Sequence, residues 1–254
     1  MRTVQLFITC LTDTFYPATG QAMVKIFRHL GIRVEFPLAQ TCCGQPAFNA
    51  GKWQEAREMA RHMIETFEQA EGDIVAPSGS CVYMVRHGYP MLFEEEPRWA
   101  RRAEALAKRT FELSQYLVDV LGVVDLGAHW DGTLSYHPSC HLLRGLGIHR
   151  QPLELLRHVQ EARLVALPNA EECCGFGGIF SVVMPELSQE MLQRKLDSFA
   201  STQADTLVVA DSGCRLHLMG GLMARRDRRK VVHLAEVLAS FSDDGGETST
   251  NSDR

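Results

Sequence analysis

Three observations predict an α/β fold built from two duplicated parallel-sheet halves related by a pseudo-twofold axis. Short apolar runs alternate with amphipathic stretches along the 254 residues, the pattern of strand–helix–strand crossovers. The eight cysteines fall into two near-congruent sets, Cys10, Cys42, Cys43, Cys81 and Cys140, Cys173, Cys174, Cys214. Each set centres on a Cys-Cys-Gly triplet, with 31 and 32 residues upstream and 37 and 39 downstream. Spacing repeated in this way reads as an internal duplication of about 130 residues per copy. The expected organisation is a first repeat with a connecting helix over 1–127, a second repeat over 128–241, and a polar, disordered Gly/Ser/Thr-rich tail over 242–254.

The first copy opens with the apolar run Val4 to Thr9, read as a buried parallel strand that delivers Cys10 at its carboxyl end. Ala22, Ile26, Phe27 and Leu30 share one helical face, with Gly31 as the stop. "IRVEFP" is a second strand, and "LAQTCCGQPAFNAG" a loop in which Gly44 lets the backbone fold closely. Ala56, Met59, Ala60, Met63, Ile64 and Phe67 mark an amphipathic helix. "DIVAP" is a third strand and "SGSC" brings Cys81 to the start of a helix, where the partial positive charge favours a thiolate. Pro97 to Leu121 reads as a helix joining the halves, without counterpart elsewhere.

The second copy repeats the order: strand "TLSYHP", Cys140, helix "QPLELLRHV", strand "RLVALP", then "EECCGFGG". A long helix, strand "DTLVVA" and "DSGC" with Cys214 follow, and "VVHLAEVLASF" reads as a last helix. Each half is thus Rossmann-like, and ligands of such sheets lie outside the carboxyl ends of the strands. Cysteines far apart in sequence converge there.

Composition narrows the function classes. Hydrophobic content of 45% and charged content of 22% are ordinary for a globular chain. A net charge of -5 gives no basic face for nucleic acid. No apolar run approaches the length of a membrane span. The N-terminal "MRTVQLFITC" reads as a strand rather than a signal peptide, so a cytoplasmic location is expected. In that reducing compartment clustered cysteines point to metal or catalysis rather than disulfides.

Four thiolates suit a [4Fe–4S] cluster or a structural zinc equally well by count. Zinc knuckles pair cysteines two to four residues apart, whereas the close pairs here are adjacent and the other gaps long. Adjacent cysteines reach two irons of one cluster more easily than one small ion. C-x-x-C, the usual thiol–disulfide motif, is absent. His137 and His141 flank Cys140 as candidate ligands, proton donors or sulfur partners, although a satisfied core or supporting role is the ordinary reading. His87, His217 and His233 carry only that ordinary reading. Arg144 and Arg215, close behind cysteines, are candidates to balance an anionic cluster or plain solvated arginines. "CCGFGG" does not match a dinucleotide loop.

The duplicated Cys…Cys-Cys-Gly…Cys pattern resembles the cysteine-rich CCG-domain family. That family includes the B subunit of heterodisulfide reductase and the iron–sulfur subunit of glycolate oxidase. "HPSCHLLRGLGI", "EECCGFGGIFSV" and "DSGC" resemble its lactate utilization protein A group. The resemblance implies a cytoplasmic iron–sulfur electron-transfer subunit in oxidation of L-lactate to pyruvate. It implies action beside two other lactate-utilization proteins, one carrying ferredoxin-type clusters. It also implies that all eight cysteines, Cys10, Cys42, Cys43, Cys81, Cys140, Cys173, Cys174 and Cys214, bind the cofactor. The family pattern ends each copy in C-x-x-C, and here Ser78 and Asp211 stand at the first position of that pair. This leaves open a four-thiol cluster, an oxygen ligand from Ser78 or Asp211, or zinc in one repeat. The alternatives in function are a zinc-stabilised scaffold of the oxidase and a heterodisulfide-type thiol–disulfide reductase.

Overall fold

Two four-stranded sheets, every pairing parallel, form the two halves of the computed structural model, which describes residues 2–242. Apart from Ser242, the tail expected over 242–254 lies outside the described residues. The first sheet has the order β2-β1-β3-β4, from β1 (Thr3–Leu6), β2 (Arg33–Glu35), β3 (Asp73–Ala76) and β4 (Thr110–Glu112). The second repeats it as β6-β5-β7-β8, from β5 (His129–His137), β6 (Gln160–Val165), β7 (Thr206–Val209) and β8 (Lys230–His233). Both halves match the duplication expected from the cysteine spacing.

Two short strands depart from the sequence reading. The stretch from Pro97 to Leu121 is not one helix. A helix over Pro97–Lys108 gives way to β4 and then to a short helix beginning at Leu113. "VVHLAEVLASF" likewise splits into β8 and the helix Leu234–Leu238. These segments are counterparts: each adds the fourth strand beside β3 or β7 and turns at a side-chain cap, Glu112 or His233. Strands of three or four residues show no period of two, so helical spacing nearby dominated the pattern.

Three apolar cores result. The central one joins the halves, with Val4, Leu6 and Phe27 of the first packed against Leu134, Tyr136, Val208 and Leu234 of the second. The outer faces are closed by the Trp53–Glu68 helix in the first half and the Pro185–Ala200 and Ser212–Ala224 helices in the second. The pseudo-twofold shows directly at the joint. Thr12 meets Ser212, Oγ to Oγ at 2.7 Å, and the equivalent Leu142 meets Gly79. A Cβ on Gly79 would lie 2.8 Å from that of Leu142, so the halves approach through glycine.

Candidate metal centre

The strand order places a reversal between β1 and β3, and between β5 and β7, where open α/β sheets bind ligands. Cys10 begins the helix Cys10–Phe15 just after β1, and Cys81 lies in the first turn of the helix that follows β3. Cys140 directly precedes the π-type turn His141–Gly145, and Cys214 lies in the first turn of Ser212–Ala224. The adjacent pairs come from the loops after β2 and β6.

Those loops are tied to the sheet by named contacts. Gln40 receives the Ile8 N–H at 2.8 Å and donates to the Leu6 carbonyl at 3.0 Å, pinning the first loop to the end of β1. The buried Tyr89 hydroxyl donates to the Cys43 carbonyl at 3.0 Å. In the second half Ser188 donates to the Gly175 carbonyl at 2.8 Å, and the buried Lys195 to the Asn169 and Ala170 carbonyls at 2.7 and 3.1 Å. The third residue of each triplet is held to glycine by its backbone angle, and in the second half by close packing as well. Gly44 and Gly175 have φ of +84° and +91°, and a Cβ on Gly175 would lie 2.6 Å from the Ser188 carbonyl oxygen.

All eight predicted cysteines converge on one cavity of about 390 Å³ between the halves, lined also by Ser78, Asp211, Phe176 and Ile179. None forms a disulfide. Cys10 and Cys42 sulfurs stand 3.6 Å apart, and Cys174 and Cys214 sulfurs 3.4 Å, well beyond the bonded length. One thiol–thiol hydrogen bond is formed in each half, Cys10 to Cys42 and Cys174 to Cys214, and the remaining thiols crowd beside them. The neighbouring Cys10 and then Cys43 thiols pull Cys42 down to about 3, against its burial. The neighbouring Cys140 and then Cys174 thiols pull Cys173 down to about 2, with the Gly175 N–H adding at 3.3 Å. Cys10, Cys140, Cys43 and Cys174 are pushed up by the neighbouring thiols and by burial. Four thiols packed this closely cannot all ionise without a cation among them. The donor set therefore fits a thiophilic metal centre in each half.

Ser78 and Asp211 do not stand as free oxygen donors. The Ser78 hydroxyl donates to Asp211 Oδ2 at 3.0 Å, and the Ser80 N–H donates to the same oxygen at 3.0 Å. Ser78 Oγ also accepts from the Cys81 N–H at 3.3 Å, and Asp211 Oδ1 from the Gly213 N–H at 3.0 Å. The two residues cap the helices that carry Cys81 and Cys214 and bond to each other across the joint. Three of the carboxylate's acceptor sites and the Ser78 proton are engaged in capping and in the joint, which gives both residues a structural role in place of the oxygen ligation left open by the sequence.

Other sequence candidates are redistributed. Arg215 does not face the thiols: it pairs with Glu236 and lies over the Tyr16 ring at 4.1 Å. Arg144 reaches the Glu171 carbonyl at 3.3 Å from an exposed position. His141 Nδ1 is 3.9 Å from the Cys140 sulfur and packs on Tyr83. His217 meets Ser188 Oγ at 3.3 Å, and His233 spans the joint to the Pro77 carbonyl at 2.9 Å. His137 is fully buried, yet neither ring nitrogen has a hydrogen-bond partner. Its ring nitrogen and the Cys174 and Cys214 sulfurs lie within 4.8 Å of one another. Burial, with Lys195 nearby, holds that imidazole neutral, its pKa pushed down to about 3. No motif marks Lys195, whose one sequence signal is a lysine on the inner face of the second long helix.

Fold and site together define a protein with duplicated cysteine-rich α/β repeats that gather thiols at a shared cavity. A family model, the CCG cysteine-rich domain, matches residues 4–86 and again 134–219, and the chain belongs to this family. At the level of whole chains, it is 51% identical over 239 residues to Lactate utilization protein A of an Exiguobacterium species, covering 94% of this chain and 97% of that one. It is 48% identical to Lactate utilization protein A of Bacillus cytotoxicus and 47% to that of a Geobacillus species, covering 94% and 93% of this chain and 99% of each. Among solved structures, a hypothetical protein from Helicobacter pylori shares the fold, with a TM-score of 0.65 at 11% identity. That likeness covers 96% of this chain, which spans half of the Helicobacter chain.

Proposed function

We propose that this chain is an iron–sulfur electron-transfer subunit of an L-lactate oxidising system. The observation that carries the reading is the convergence of two congruent sets of four free thiols on one cavity, at the sheet ends where cofactors bind. The relatives named Lactate utilization protein A supply the substrate system. Cys10, Cys42, Cys43 and Cys81 would hold one cluster, and Cys140, Cys173, Cys174 and Cys214 a second. Bound there, such a cluster supplies reversible one-electron chemistry.

The chain's own groups then tune and protect the site. Conversion of lactate to pyruvate releases two electrons and two protons, so the electrons must leave through a carrier. The Gly175 N–H bonded to the Cys173 sulfur, and the buried Lys195 ammonium, favour negative charge on the second set. Phe176 and Ile179 line the cavity and limit water, while the exposed Cys10 brings the first set toward a partner. The partners in this reading are two other lactate-utilization proteins, one with ferredoxin-type clusters, in the cytoplasm. Among the described residues no helix is long and apolar enough to cross a membrane.

A second reading, zinc in one half within a scaffold subunit, is favoured by one feature, the nitrogen–sulfur grouping of His137, Cys174 and Cys214. Anaerobic purification with iron, acid-labile sulfide and zinc counts per chain decides between them. Iron and sulfide in equal amounts, near four or eight, support electron transfer. Zinc without sulfide makes the chain a scaffold. Cys43→Ser and Cys174→Ser are each expected to abolish lactate-dependent reduction while leaving the partners assembled. Normal turnover in both ends the electron-transfer reading.

A further inference from the structure

We propose that His137 is a metal ligand, so that the two halves hold chemically different centres: all-thiolate in the first, imidazole with thiolates from Cys174 and Cys214 in the second. The inference rests on a metal occupying the second half and not on which metal it is.

The argument begins with the strand register. β1 and β3 pair Leu6 with Val75, and β5 and β7 pair Tyr136 with Val208 at the equivalent place. One residue further on stand Phe7 and His137, each three residues before its cysteine. Phe7 is buried among Cys43, Cys81 and Phe67, a position that needs only packing. The second half replaces that ring with one bearing two polar nitrogens, both buried and both without a hydrogen-bond partner. Burying a polar group without a partner is unfavourable, so the substitution is costly unless something else engages the ring.

The surroundings supply what would engage it. The ring nitrogen lies with two buried sulfurs inside a 4.8 Å group, a spacing that a small inward shift closes around one ion. The Ala170 backbone carbonyl lies beside the ring as an acceptor, outside strict hydrogen-bond geometry. A backbone carbonyl beside the second nitrogen is the usual device that orients a ligating imidazole. Lys195 fixes that carbonyl by donating to it at 3.1 Å. The first half lacks this arrangement too. Gly44 packs on Met59 and Gly175 on Met191, so Lys195 corresponds to Met63, four residues beyond. Two replacements, Phe7 by His137 and Met63 by Lys195, thus occur together around one thiol set.

The test uses the full chain carrying Cys42→Ser and Cys43→Ser, so that metal is read from the second half alone. Iron is examined by pulsed EPR of the reduced protein for strongly coupled ¹⁴N, and zinc by X-ray absorption for a nitrogen scatterer. One nitrogen ligand is expected. His137→Phe, the residue the first half uses, is expected to remove it and to weaken metal binding by about tenfold or more. His137→Cys should retain the metal with an all-sulfur signature, which controls for folding. A sulfur-only signature before mutation, a nitrogen signal that survives His137→Phe, or absence of both metals overturns the proposal. Zinc without sulfide would end the electron-transfer reading while leaving His137 to be judged at the zinc edge.

Discussion

Asp211→Ala separates a structural joint from a metal ligand. Asp211 is 5% exposed and accepts three hydrogen bonds, from Gly213 N–H in its own helix and from Ser78 hydroxyl and Ser80 N–H across the joint, each at 3.0 Å. Alanine removes an N-cap worth about 1 kcal/mol and leaves two donors of the other half without their acceptor, at about 1–3 kcal/mol each. Water entering from the cavity recovers part of this, so a loss of about 3 kcal/mol is expected, a fall in Tm of about 6–12 °C for a chain of this size. Asparagine rescues only in part. Its single oxygen satisfies one side, and its amide N–H₂ then faces either the Gly213 N–H or the Ser80 N–H. Thermal unfolding by circular dichroism, with metal content measured on the same samples, reads both roles. The expected result is a lower Tm with unchanged metal per folded chain. A Tm within about 2 °C of the parent, less than the change expected for 1 kcal/mol, or loss of metal from a chain of parental stability, would refute the capping argument.

Two buried groups at equivalent places in the halves give opposite pH dependence. Burial pushes His233 down to about 4, so its contribution is present above the unfolded value near 6.5 and is lost as pH falls toward 4, about 3 kcal/mol in all. His233→Gln, which keeps a donor and an acceptor, should flatten that acid limb in urea titrations. Parallel curves for parent and variant would count against it. Burial pushes Glu112 up to about 7, against bonds from Ser114 and Gln115, so its contribution is full below about 4.5 and is lost as pH rises through 7. Glu112→Gln should therefore gain stability relative to the parent at pH 8 and not at pH 5, and an equal effect at both would exclude titration as the cause. Both positions have a strained φ for alanine, but Gly175→Ala adds a 2.6 Å approach to the Ser188 carbonyl, whereas Gly44→Ala comes no nearer than 3.3 Å, to the Met59 Cβ. Urea midpoints should fall further for the first than for the second, and the reverse order would contradict the geometry.

The linear chain determined a good deal by itself. Near-congruent cysteine spacing disclosed the duplication, and apolar runs alternating with amphipathic helices disclosed parallel sheets, because both are local or periodic properties that survive without a structure. The same pattern put most of the thiols in the loops that follow strands or precede helices, with each adjacent pair in the central loop of its copy. What it left out is local to no segment. β4 and β8 are too short to show a period and exist because β3 and β7 offer them an edge. Ser78 and Asp211 each cap their own helix locally, but they are 133 residues apart, and only the folded chain brings the two caps together to bond across the joint. Neither the unpartnered nitrogens of His137 nor the burial of Lys195 can be read from composition, because burial and partnership depend on which residues three-dimensional packing brings near. The tertiary structure alone decided that the two sets of thiols, alike in spacing, sit in different surroundings.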